Sequence, residues 1–137
     1  MKKIFGIVIT AVMLLCCASA NQAEPSIIGH WRWVKSKFIT RGMPEAKIST
    51  PKSRGYVVDL VIGPKEIEIV KDEKSVATVP YLLYQQGEEL QVMRVSIPQD
   101  DFPFYISSGP VYFKSDTLII AGTYNDAGED QYYVPIK

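Results

Sequence analysis

From residue 29 onward the chain alternates apolar and polar positions with a period of two, in short runs broken by Gly, Pro and charged clusters. That period sends every second side chain to the same face of an extended strand, so each run reads as a strand with one buried face. Tyr56, Val58, Leu60 and Ile62 share such a face, Val57, Asp59 and Val61 take the other, and Gly63-Pro64 then reverses the chain. Ile67 and Ile69 alternate with Glu66 and Glu68 in the next run, which ends in the solvated turn Lys71-Asp72-Glu73-Lys74. A fourth run, residues 76–85, contains Pro80, whose missing N–H predicts a bulge or a sheet edge.

Gln86-Gly87-Glu88 turns the chain into a fifth run, residues 90–97. Pro98-Gln99-Asp100-Asp101 breaks the alternation, and Phe102-Pro103-Phe104-Tyr105-Ile106 resumes it only loosely. Ser108-Gly109-Pro110 leads into residues 111–113, and Lys114-Ser115-Asp116 leads into residues 118–123. The stretch 125–130 forms the last hairpin turn, before a final strand over 132–136. Consecutive hairpins of this kind predict an all-β fold: an up-and-down antiparallel β-barrel of about eight strands, whose closure removes exposed edges. One connection is long, residues 39–54. It carries Gly42, Pro44 and Pro51, and it reads either as a short helix around 44–48 covering the barrel mouth or as an irregular surface loop.

The segment before these runs is of another kind. Lys2 and Lys3 precede an almost wholly apolar stretch from Ile4 to Leu15, and Ala18-Ser19-Ala20 supplies small residues at a cleavage site. Residues 1–20 therefore read as a signal peptide and residues 21–137 as one barrel domain, exported to the periplasm or secreted from a bacterial cell. The apolar stretch is shorter than the about 20 residues of a membrane span, and no later segment approaches that length. Cys16 or Cys17 as a lipid attachment site is the competing reading, disfavoured because neither follows a small residue. Cleavage removes both cysteines, so the exported domain has no disulfide and stands on its core alone.

Gly29-x-Trp31-x-x-Val34-x-Ser36-x-x-Thr40 opens the domain, Thr50-Pro51-x-Ser53-x-Gly55-Tyr56 leads into the second run, and Leu118-Ile119-Ile120, Tyr124-x-Asp126 and Tyr132-Tyr133 close it. In these features the chain resembles the small bacterial lipocalin-like domains of the calycin superfamily, and its opening strand is similar to that of intracellular fatty-acid-binding proteins. The resemblance implies a barrel in which the Trp31 indole plugs the closed end, with an interior able to bind a hydrophobic or amphipathic small molecule. Fatty-acid-binding proteins carry an Arg-x-Tyr pair on the last strand to hold a carboxylate. Here that stretch reads Tyr132-Tyr133-Val134-Pro135-Ile136, without arginine. Arg94, sharing the parity of Leu90 and Val92, is the substitute if its face turns inward, with Asp59 or an anionic ligand as partner.

The fourteen aromatics of the domain fill a small barrel efficiently, and the tyrosines also bring hydroxyls that orient a ligand. A packed interior and a ligand pocket are both built from the same residues. The candidate ligand contacts are Trp33, Tyr56, Arg94, Phe104 and Tyr132.

Little else in the chain carries chemistry. His30, the single histidine, alternates opposite to Trp31 and reads as solvent-facing. No further His or Cys completes a metal set, and Asp126, Glu129 and Asp130 lack the spacing of an EF-hand loop and read as a solvated turn. Asp100-Asp101 and Glu88-Glu89 are neighbours that point apart in an extended chain, and nucleophile elbows, phosphate loops and dinucleotide fingerprints are lacking. Fifteen basic and fifteen acidic residues balance, and the basic ones are scattered, which argues against nucleic-acid binding. The expectation is a cofactor-free, non-enzymatic protein holding a small hydrophobic or amphipathic ligand. The alternative is an envelope interaction module, of inhibitor or immunity type, that presents the aromatic loop 98–110 to a protein partner, with Phe102, Phe104 and Tyr105 as anchors.

Overall fold

The computed structural model describes residues 26–93, 104–123 and 127–137. The signal segment with Cys16 and Cys17, the candidate Arg94, and Phe102 lie outside the described residues. Strands β1 (Gly29–Ile39), β2 (Lys47–Ser49), β3 (Val58–Ile62), β4 (Glu66–Lys71) and β5 (Lys74–Pro80) are followed by β6 (Leu82–Gln86), β7 (Glu89–Met93), β8 (Gly109–Lys114), β9 (Thr117–Ala121) and β10 (Gly128–Pro135), and the one helix among the described residues is α1 (Pro51–Arg54). The protein is all-β and antiparallel. Its strands run in the order β5-β4-β3-β1-β10-β9-β8-β7-β6, with β2 paired to β1. β1 is the central element because residues 29–32 pair with β3 while residues 31–39 pair with β10.

The period-two reading places the core correctly. Val58, Leu60 and Ile62 on β3, Ile67 and Ile69 on β4, and Trp31 and Trp33 on β1 are buried, while His30 is exposed. The Trp31 indole Nε1 donates to the Ile27 carbonyl at 2.7 Å, and its ring lies 6.2 Å from that of Phe113. Asp72 and Glu73 sit at φ 47° and 67°, the left-handed pair of a two-residue hairpin turn. The fourth run divides at its proline: β5 ends at Pro80, β6 begins at Leu82, and Tyr81 between them is buried with its hydroxyl donating to the Gly63 carbonyl at 2.6 Å. The two ends of the strand order are thus consecutive in the chain.

Three expectations are corrected. The long connection holds no helix at 44–48, because residues 47–49 pair with residues 36–38 of β1 as β2. The helix lies just beyond, where Thr50 and Ser53 form a reciprocal cap, Pro51 opens the turn and Gly55 ends it at φ 78°. Glu129 and Asp130 are not in the last turn but in β10, drawn into the ladder by pairing with Phe38 and Lys37 of β1. Asp59 does not wait for Arg94: Arg32, its cross-strand partner on the outer surface, grips it through Nε at 2.8 Å and Nη2 at 2.9 Å. No helix among the described residues is long and apolar enough to cross a membrane.

Candidate functional site

The buried face around β1 is built in rows, and one bulge sets their order. Trp33 stands opposite Tyr133 of β10; the register then shifts at Val34, so that Ser36, and not Lys35, comes inward. An extra residue on one strand of a ladder reverses the parity of everything after it. Ser36 now faces Gln131 on one side and Ser49 of β2 on the other, and Phe38 faces Glu129 and Lys47. From the core outward the rows read aromatic, polar, then mixed and charged.

The polar row is buried and satisfied. Ser36, Ser49, Ser107 and Gln131 are the buried polar residues among those described. Trp33 Nε1 donates to Ser36 Oγ at 3.0 Å. Gln131 is the hub: its Oε1 accepts from the Ser107 amide at 2.7 Å and the Tyr133 hydroxyl at 2.8 Å, while its Nε2 donates to the Tyr105 carbonyl at 2.6 Å. The Ser107 hydroxyl donates to the Glu129 carbonyl at 2.6 Å. Gln131 therefore binds residues 105 and 107 as a neighbouring strand would, fixing the irregular segment before β8 across this end of the sheet. Glycine makes that approach possible: a side chain at Gly122 would meet Ser107 and the Glu129 carbonyl.

That segment brings Phe104 onto Trp33, edge to face with ring centroids 5.3 Å apart, while Tyr56 stacks on the same indole at 6.3 Å. Three of the five residues expected from the sequence thus meet, but they meet by filling space. The cavity left among Trp33, Tyr56, Phe104 and Gln131 measures about 30 Å³, room for water and little else. Phe104, buried here, is not an exposed anchor for a protein partner. Tyr132 is not part of the cluster: Gln131 and Tyr133 take the inward parity of β10, and Tyr132 lies under the Lys35 ammonium, 4.6 Å from its ring centre.

Above the polar row the molecule opens. A groove of about 450 Å³ lies over Phe38, between β2, α1, Tyr105 and Glu129, and it shares Arg54, Tyr105 and Glu129 with the small cavity beneath. Phe38 gives it an apolar floor and β2 borders it; Lys47 and Arg54 bring positive charge; Ser49 and Ser53 bring hydroxyls. Burial raises the Tyr105 phenol well above its ordinary range, and the nearby Glu129 carboxylate adds to the effect. Burial likewise raises Tyr56, with Arg54 pulling the other way. Both phenols are neutral donors at neutral pH.

Arg54, Lys47, Glu129 and Gln131 border the candidate site without having been expected there, and Tyr105, expected as an anchor for a protein partner, lines it instead. The signal for Arg54 was the Thr50-Pro51-x-Ser53 cap followed by Gly55, which marks a single helical turn ending at that arginine. Glu129 and Gln131 share the parity of Tyr133, which becomes readable only once β10 is extended to Gly128. Among the described residues no group of three or more His, Cys, Asp and Glu side chains is placed to hold a metal ion. Comparison of the chain with protein-family models, with curated proteins and with solved structures finds no match in any of the three.

Proposed function

We propose that this chain is an exported, non-enzymatic, lipocalin-like binding protein that takes a small amphipathic molecule in the groove at the mouth of an up-and-down barrel, above a filled interior. The observation that carries the reading is the contrast of volumes: about 450 Å³ in the groove, within the range of small-molecule sites, against about 30 Å³ in the cavity beneath it around Trp33. The barrel reading is supported by the strand order, a meander whose two ends, β5 and β6, are joined through Tyr81. Taken as one strand bent at that residue, they complete a ring of eight. The periplasmic or secreted location follows from the signal-like residues 1–20.

A second reading, binding of a protein partner, draws on β6. Leu82, Leu83 and Tyr84 are exposed on successive positions, 65%, 43% and 37%, so both faces of that strand present apolar surface.

Native mass spectrometry of the processed protein, purified gently from its native host and then extracted under denaturing conditions, separates the two. A defined small-molecule adduct supports the groove. A bare mass that persists after incubation with an envelope lipid extract contradicts it and favours the partner reading.

A further inference from the structure

We infer that the molecule held in the groove is a small amphipathic anion, its charged group met by Arg54 and Lys47 and its apolar part lying on Phe38. The inference rests on the groove being the binding site and goes on to name the ligand's chemistry.

The charged residues lining the groove are Lys47, Arg54 and Glu129. Their charges are not equally available. The Glu129 carboxylate lies close enough to the Tyr105 phenol to help raise it. Lys47 and Arg54 are exposed, and among the described residues neither is in an ion pair; the recorded pair, Arg32 with Asp59, stands on the outer surface. Two cations, neither ion-paired among the described residues, therefore face one carboxylate.

Their placement is also fixed in advance. Lys47 is held in register opposite Phe38 by the β1–β2 pairing, so its stem rises beside the apolar floor. Arg54 ends a helical turn locked at both ends, by the Thr50–Ser53 cap and by the Gly55 amide donating to the Pro51 carbonyl at 2.8 Å. A guanidinium so placed can take a carboxylate, phosphate or sulfate through two parallel hydrogen bonds, and partial enclosure strengthens such contacts relative to open water. A quaternary ammonium fits poorly: the aromatic cluster of Trp33, Tyr56 and Phe104 beneath is closed to about 30 Å³, and two cations repel it at the rim.

Titration calorimetry with decyl phosphate, decyltrimethylammonium and decyl maltoside compares one tail under three head groups. The phosphate is expected to bind at least about tenfold more tightly than the other two, a margin of one charge-assisted contact, and to weaken as salt is raised. Arg54→Gln and Lys47→Gln are each expected to lower its affinity about tenfold while leaving maltoside binding unchanged. Both side chains are exposed, so the variants keep the fold, checked by an unchanged melting temperature. Equal binding of all three amphiphiles, or phosphate binding indifferent to both substitutions, overturns the inference and leaves the groove reading standing. Binding of none overturns both.

Discussion

At the scale of single residues the account turns on side chains that are buried with all their hydrogen bonds made. Trp33 is 1% exposed and carries Tyr56 and Phe104 on its ring, so Trp33→Ala is expected to cost about 3–5 kcal/mol of unfolding free energy, measured by denaturant titration. Gln131→Ala strands the Ser107 amide and the Tyr105 carbonyl, at about 1–3 kcal/mol for each group left buried and unpaired. A cost near zero would mean that the segment 104–108 is not fastened by this amide. Tyr133 is fully buried, and burial holds its phenol well above the ordinary range, with the Glu129 charge adding to the shift. A phenol raised in the folded state contributes stability that is complete below the unfolded value of about 10 and is lost as pH rises toward the folded one. Part of the phenolate absorbance is therefore expected to appear only in a cooperative step above about pH 10 that coincides with loss of circular dichroism, and Tyr133→Phe is expected to shrink that step. Smooth ionisation of all eight tyrosines within an intact fold would contradict the assignment.

At the scale of elements, β8 and β10 each approach the Ala121–Gly122 backbone closely at a glycine. Gly109 and Gly128 both sit at positive φ, and a side chain on them would fall on the Ala121 and Gly122 carbonyls. Gly109→Ala is expected to destabilise by more than about 1 kcal/mol, read as a lowered denaturation midpoint, because the strained conformation and the clash act together. Much at this scale was legible in the sequence. The inward faces of β3 and β4 follow from strict alternation over Val58 to Ile62 and Glu66 to Ile69, and Pro80 marks the division between β5 and β6. The bulge at Val34 was not legible, since it arises from pairing with β10 and leaves no local mark in a run that already mixes Lys and Ser. Nor was the start of β10, where polar Gly128-Glu129-Asp130 reads as turn until β1 supplies the partner.

At the scale of the whole molecule, Ile27, Trp31 and Phe113 pack together, the aromatic cluster around Trp33 leaves only a small cavity, and beyond the polar row lies an open groove. Alternation and aromatic content fixed which residues meet at Trp33 but not how tightly, because a packed core and a pocket are built from the same side chains and differ only in how they interlock. Three of the five expected contacts, Trp33, Tyr56 and Phe104, are now the plug beneath the site, and the residues facing its open volume come from the connection 39–54 and from Tyr105 and Glu129. The central claim is that a ligand rests on the polar row and does not pass it. Chemical-shift mapping of the isotope-labelled protein during titration with decyl phosphate tests this most directly. The perturbed signals are expected to belong to Phe38, Ile48, Arg54 and Tyr105, while Leu60, Leu118 and Ile120 stay still. Perturbations centred on those three core residues, with the rim unmoved, would contradict the claim.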